Sequence, residues 1–342
     1  MKGSGQMLAD TTMGSNVSLV AGQGDCYVYK VQEGEGEGTI TMYHVLPGLY
    51  ILYNDFHMGQ CFSQFQTGVD MVCIDHCREG RIEWEVKNNS YVYLEAGDMQ
   101  ISTRSRHMRN FGFPLKHYHG ITVGICIEEG RESLNTMMDG FSVDLESLLG
   151  KVAASDRPFI MRAGRRIEHI FSEMYDVAEE IRNTYFKIKI IELLLFLEHT
   201  DIPANRDERP YLSKSQVEKT RQVMQVMTEN LEHHYTLQEL SAMFAFPLTT
   251  MKCCFKGVYG MSIYAYARTY RMNAAAVMLK QTQDSVLTIA NKVGYENASK
   301  FAAAFKSVLH STPAKYREMT AEAACEIHRP GGAEAIMRSR QT

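Results

Sequence analysis

The sequence predicts an α+β multidomain protein: a β-rich N-terminal domain, a helical middle segment and an all-α C-terminal domain. Three observations predict it. Apolar residues alternate with period two in short runs from about Gly24 to Glu128, the period lengthens to a helical one from about Asp144, and the last third contains a degenerate internal duplication. At 342 residues the chain is long enough for two or three domains. No window approaches eighteen uninterrupted apolar residues, which excludes a transmembrane helix, and Met1–Asn16 is polar and Gly-rich without the apolar core of a signal peptide. A cytoplasmic protein is therefore expected, with no membrane partner. Its eight cysteines, Cys26, Cys61, Cys73, Cys77, Cys126, Cys253, Cys254 and Cys325, are then expected to be free thiols.

Residues 1–20 carry no pattern and are expected to be flexible; 21–140 form the β-rich domain. Thr39–Tyr43 and Arg81–Val86 alternate, and Tyr91–Leu94 follows a Lys87-Asn88-Asn89 turn, which reads as a hairpin. Gly97-Asp98 marks the next turn and Met99–Ser102 the next strand; Ile121–Ile127 is mostly apolar, as a buried strand is. Many short strands with regular turns point to a small sandwich or barrel. Residues 141–200 form the helical segment, with Phe141–Leu145 leading into short helices. Arg165–Ala178 is amphipathic, with Ile167, Ile170, Phe171 and Met174 on one stripe. Ile181–His199 is apolar nearly all round, with Ile188, Ile191 and Leu195 on one face and Ile190, Leu194 and Leu197 beside it; it either packs in a core or shares that face with a second copy in a homodimer. Thr200–Pro210, with two prolines and five charges, reads as a linker, and 318–342, with Pro330-Gly331-Gly332 and no stripe, as a disordered tail.

Residues 211–317 are different in charge. They hold thirteen Lys and Arg against six Asp and Glu, a net +7, so a chain total of −4 leaves −11 elsewhere. A basic module on an acidic protein is what binding to phosphates by one part requires. The module opens with a helix over Ser213–His233 and contains two helix-turn-helix patterns, at about 236–257 and 285–309, joined by a long helix over Ile263–Leu279. In the second pattern Val286, Ile289, Ala290 and Val293 share a stripe, Gly294 can take the positive φ that ends a helix, and a helix from about Ala298 to Leu309 buries Phe301, Phe305 and Val308. The first pattern lies over it at an offset of 49 in the leading helix (Leu240, Ser241, Phe244 on Ile289, Ala290, Val293) and of 50 afterwards (Phe255-Lys256 on Phe305-Lys306), so the second turn is one residue longer. Two helices with a tight turn are the geometry that sets the second helix in a DNA major groove, and a twofold repeat suits two adjacent grooves.

The residues Ile289-Ala290-x-x-Val293-Gly294-Tyr295-x-Asn297-x-Ser299-x-Phe301-x-x-x-Phe305-Lys306, then Pro313-x-x-Tyr316-Arg317, resemble the DNA-binding domain of the AraC/XylS family of bacterial transcription regulators. Phe255-Lys256-x-x-Tyr259-Gly260-Met261-Ser262 and Arg271-x-x-x-Ala275 fit the same pattern upstream. Leu94-Glu95-x-Gly97-Asp98 resembles a turn of the cupin-like barrels that often precede this domain. There are three departures: Pro247 stands where the family has a capping Ser, Cys253 where many members carry a basic residue, and His310 where a Gly is usual. The resemblance implies a regulator, most often an activator that contacts RNA polymerase, with an N-terminal domain that answers to a small-molecule effector or partner.

Candidate contacts to double-stranded DNA follow from which positions face outward. In the second recognition helix these are Asn297, Ser299, Lys300 and Ala303, where an alanine leaves room for close approach and can meet a thymine methyl. In the first they are Thr249, Thr250, Lys252 and Cys253, with Met251, Cys254 and Phe255 facing in. Lys256, Lys306 and Arg317 are assigned to phosphates, which position without specifying. Ser299 has a second reading as a helix cap, and the alanines as good helix formers. The competing class is a cupin-type sensing or metal-dependent enzyme domain fused to a weak DNA-binding module. Cys73, His76 and Cys77, and the pair His117 and His119, are its raw material, but no four-ligand set has the spacing of a known site and no nucleophile, P-loop or dinucleotide motif occurs. The expectation is a non-enzyme without metal or cofactor.

Overall fold

The computed structural model describes residues 14–62, 70–86, 89–103, 110–137, 150, 159–200 and 211–319. The chain divides after Lys214 into two compact units. Phe141–Leu145, the linker beyond Thr200 and the tail beyond Met319 lie outside the described residues.

The first unit is built on antiparallel strands: β1 (Val17–Gln23), β2 (Cys26–Glu33), β3 (Gly36–Leu46), β4 (Leu49–His57), β5 (Gln60–Phe62), β6 (Met71–Val86), β7 (Ser90–Glu95), β8 (Met99–Thr103), β9 (Asn110–Gly112), β10 (Tyr118–Cys126), β11 (Phe159–Met161) and β12 (Leu212–Ser213). Their order is β1-β2-β3-β4-β10-β6-β7-β12, with β8 and β9 also on β6. The 16-residue β6 is the hub: its first half pairs with β10 and β8 and its second half with β7 and β9. Two irregularities let it turn between these partners. The register slips at His119/Gly120, and Gly80 takes φ +81 where a Cβ would stand 2.1 Å from the His117 carbonyl oxygen. The Arg81–Val86/Ser90–Glu95 hairpin forms as expected, although Lys87 and Asn88 of its turn lie outside the described residues.

One face of this sheet carries Leu49, Ile51, Ile74, Met99, Ile101, Ile121, Val123 and Ile125, all essentially buried. They meet α2 (Arg165–Met174) and α3 (Arg182–Glu198); α1 (Ile127–Met137) adds Leu134 to the same cluster. The predicted stripe of α2, Ile167, Ile170, Phe171 and Met174, is the one buried. Each such side chain contributes about 1.5–3 kcal/mol on burial, so this cluster dominates the unit's stability. His76 stacks on Phe171 at 4.3 Å between ring centroids, and burial pulls its pKa down to about 4.

The structure sharpens the sequence reading at four places. Residues 17–20 belong to β1, an exposed edge strand whose order comes from pairing with β2 rather than from apolar content. The helices between 165 and 198 share the core of the sheet, which is the first of the two readings of the apolar helix. In α3 the packed face is Phe186, Ile190, Leu193, Leu194 and Leu197, while Ile188 is 56% exposed; an all-round apolar helix has no preferred face until the sheet chooses one. The sheet's choice also buries Lys189, whose ammonium is held by Glu173 (2.9 Å) and Glu192 (2.5 Å). Finally, Leu212 and Ser213 pair with β7, so the first unit extends past residue 211.

The second unit is helical among the described residues: α4 (Lys214–Glu229), α5 (Leu237–Met243), α6 (Leu248–Tyr259), α7 (Ile263–Gln281), α8 (Val286–Lys292) and α9 (Ala298–Leu309). α8 and α9 pack on α7 through Met272, Ala275, Ala276, Leu279, Ile289, Ala290, Val293, Phe301 and Phe305. Around α5 and α6 the buried residues are Leu240, Phe246, Met251, Cys254, Phe255, Val258 and Tyr259. The starts of α5, α7 and α8 are marked in the sequence. Thr236 forms a reciprocal capping box with Glu239, and Ser262 and Ser285 accept from Ala265 N and Thr288 N.

Candidate nucleic-acid interface

Two helix pairs, α5–α6 and α8–α9, carry the candidate contacts, and their turns are built alike. In the first, Phe246 N donates to the Ser241 carbonyl at 2.9 Å; in the second, Tyr295 N donates to the Ala290 carbonyl at 2.8 Å. This is the same six-residue closure at the same place in the repeat, and it needs one residue of positive φ inside the turn. Gly294 supplies it in the second pair at φ +82; Ala245 supplies it in the first at φ +43. A Cβ on Gly294 would stand 2.8 Å from both His234 Nε2 and the Leu231 carbonyl oxygen, so the position is closed to larger residues twice over.

The rod is fastened to the segment before α5 by Arg271 of α7, 6% exposed. Its Nε donates to the Leu231 carbonyl at 3.0 Å and its Nη2 to the His233 carbonyl at 2.8 Å. His234 then reaches the Gly294 carbonyl through Nε2 at 2.6 Å. The segment before α5 is thereby tied to the turn between α8 and α9. The sequence marked Arg271 only as part of a pattern; its bonds to two backbone carbonyls about forty residues away have no local signal.

The outward faces of α6 and α9 are as expected in most positions. Thr249, Lys252, Cys253 and Lys256 are exposed and Thr250 is half-buried, with Met251, Cys254 and Phe255 buried opposite them. Ser299, Lys300, Ala303 and Lys306 are exposed, with Phe301 and Phe305 buried. Lys252, Lys256, Lys300 and Lys306 make no ion pair among the described residues. Two of the candidate residues also have partners within the fold. The Asn297 side-chain oxygen is committed to capping α9, accepting from Ser299 N at 2.9 Å and Lys300 N at 3.0 Å, so Asn297 and not Ser299 is the cap. Arg317 is half-buried and its Nη2 donates to the Asp284 carbonyl at 2.6 Å, which fixes it against the segment before α8. Lys292, 2.7 Å from Asp284, holds that carboxyl below its usual range. Pro247 leaves α6 without a side-chain cap, and His310 closes α9 at φ +54, both as the sequence implies.

The cysteine and histidine candidates of the first unit do not assemble as a set. Cys73 and Cys77 lie in different core clusters, and His76 is buried against Phe171. His117 instead approaches Asp55 and His57 at the surface.

With this geometry in place, the chain's similarities fall where the repeat is. Residues 240–319 match the family model described as "Helix-turn-helix domain". The chain is 39% identical over 64 residues to the HTH-type transcriptional regulator MtrA of Neisseria gonorrhoeae, covering 19% of this chain and 21% of that protein. It is 29% identical over 100 residues to the HTH-type transcriptional activator RhaS of Mannheimia succiniciproducens, covering 29% and 37%. A solved AraC-type transcriptional regulator from Chromobacterium violaceum aligns at 21% identity and TM-score 0.29 over 30% of this chain and 93% of that one. The chain spans less than half the length of the curated relatives it matches. The similarity of residues 240–319 is thus to helix-turn-helix transcription regulators.

Among the described residues no helix is long and apolar enough to cross a membrane.

Proposed function

We propose that this chain is a sequence-specific DNA-binding transcription regulator whose α5–α6 and α8–α9 pairs are two helix-turn-helix units reading adjacent major grooves. The observation that carries the reading is the duplicated turn. Two helix pairs closed by the same hydrogen bond each present a second helix whose outer face is small or cationic and whose inner face is aromatic. Lys300 and Ala303 on α9, and Thr249, Thr250, Lys252 and Cys253 on α6, are the groove-facing set, with Ser299 at the start of α9 beside them. Lys256 and Lys306 reach phosphates. Asn297 and Arg317 act one step back, holding α9 and the α8 entry in place.

The β-rich first unit is the sensing part, a cupin-like barrel in which a small-molecule effector or partner alters domain docking or homodimerisation. Activation through RNA polymerase is the mode favoured by likeness to a relative called a transcriptional activator. The cytoplasm is the site of action, and neither catalysis nor a membrane is part of this reading.

The test is binding of the full-length chain to its own upstream DNA against an unrelated duplex, titrated across salt. Specific binding should exceed non-specific by roughly 10³-fold or more, and log affinity should fall linearly with log salt. Equal, weak binding to both duplexes with and without cell-extracted small molecules would remove the reading.

A further inference from the structure

We propose that the exposed end of the β4–β10 ladder is a binding site for a divalent transition-metal ion, held by Asp55, His57 and His117. Nothing in the DNA-binding reading requires this site, and it stands or falls separately.

The register builds it. β4 and β10 are antiparallel, with Tyr118 opposite Phe56 and His119 opposite Asp55. Continuing that register one residue, His117 lies opposite His57. Asp55 and His57 are two apart on one strand and so share a face, while Phe56 points to the other side and stacks on Phe113 and Tyr118. The site is therefore at the exposed end of the face that carries Leu49 and Ile51, backed by a buried aromatic cluster on the opposite face.

Donor atoms of Asp55, His57 and His117 all lie within 4.8 Å of one another. Asp55 Oδ1 is already 3.1 Å from His57 Nε2, and the His57 and His117 rings are 5.1 Å apart between centroids. A tetrahedral ion with bonds of about 2.1 Å needs its ligand atoms about 3.4 Å apart. The first pair meets this as it stands; the third is brought in by a small rotation of a ring on a partly exposed side chain. The Glu79 carboxylate closes the row, 3.6 Å from His117 Nε2, where it can orient a ligating imidazole.

A simple surface ion pair explains Asp55 with His57 but not the whole row. Two imidazoles set side by side between two carboxylates gain little as ion pairs at exposed positions. They form a mixed nitrogen and oxygen donor set, which suits zinc, nickel, cobalt or copper over calcium or magnesium. His57 and Asp55 are more than half exposed, so the remaining coordination positions would be filled by water and the ion would exchange readily.

The test titrates chelator-treated full-length protein with zinc chloride by calorimetry at neutral pH, beside the His57→Gln/His117→Gln variant and, separately, Asp55→Asn. One zinc per chain should bind to the wild type, and affinity should fall at least about tenfold in each variant with thermal unfolding unchanged. Cobalt(II) bound to the wild type should show visible ligand-field bands without thiolate charge transfer, since the exposed Cys253 is the obvious rival ligand. Unchanged zinc affinity in both variants, a thiolate-dominated cobalt spectrum, or no heat with zinc, nickel or cobalt would overturn the site.

Discussion

The two helix pairs of the second unit are copies with opposite faults. In α5–α6 the second helix has an uncapped start, because Pro247 offers no side-chain acceptor, but a relaxed end at Gly260 with φ +76. In α8–α9 the second helix has a well-capped start at Asn297 but ends on His310 at φ +54, where an L-residue is strained. The turns differ in the same manner: Gly294 sits comfortably at positive φ, whereas Ala245 does not. The first turn compensates with a bond its copy cannot make, from the Ser241 hydroxyl to the Phe246 carbonyl at 2.8 Å, since Ala290 stands at the matching place. Duplicated motifs can thus keep one backbone geometry while exchanging which residues enforce it.

The largest expected difference between the pairs is in recognition. Ala303→Glu should remove specific DNA binding, a loss of roughly 10³-fold measured by fluorescence anisotropy, by setting a carboxylate against phosphates and base edges. Cys253→Glu, at the matching place in α6, should cost only about tenfold, because an uncapped α6 start leaves that helix less firmly presented. A reversed order would make α6 the principal reader. Next in size is the turn. Gly294→Ala should destabilise the second unit by about 3 kcal/mol in chemical denaturation, combining the left-handed penalty with contact against Leu231 and His234. Ala245→Gly should be neutral or stabilising by up to about 1 kcal/mol, the relief of strain being partly offset by backbone entropy.

Helix starts come third. Asn297→Ala should cost about 1 kcal/mol, and Pro247→Ser should return a few tenths to the first pair; equal effects at the two positions would mean the caps are not what distinguishes them. The smallest expected effect is at the far end, where His310→Gly should raise the melting temperature by about 2–4 °C, corresponding to relief of roughly 0.5–1 kcal/mol. A fall in melting temperature there would show that the imidazole makes a contribution that outweighs its backbone strain.

What was legible in the sequence follows from range. Gly294, Phe301 and Phe305 could be read because a glycine after an apolar stripe and two aromatics four apart are local signals, and the stripe of α2 was read for the same reason. Ala245 could not, since alanine carries no turn signal and its positive φ is imposed by the closure around it. Asn297 was read as a base contact because a helix cap and a groove-facing residue draw on the same polar side chains at the same position. Arg317 was read as a phosphate contact because nothing near it announces a carbonyl at Asp284, 33 residues away. In the first unit the strands were recognisable from alternation and Ile190, Leu194 and Leu197 of α3 from their spacing, but which of two neighbouring faces of α3 packs, and the row Asp55, His57, His117, were not. Both are decided by which strand lies beside which, and that pairing has no expression in spacing along the chain.

The Arg271 tie has a consequence for genomes rather than for folding. One buried guanidinium and one imidazole fasten the segment before α5 to the turn of the second pair, so on the proposed two-groove reading the spacing of the two units would be set by the protein and not by its target. Each base pair inserted between two half-sites turns one of them by about 34° around the duplex axis. A reader with a stiff gauge cannot follow that turn, so its targets should tolerate a changed letter far better than a changed spacing. The promoters that answer to such a protein would then be recognisable by an invariant interval even where their bases have drifted.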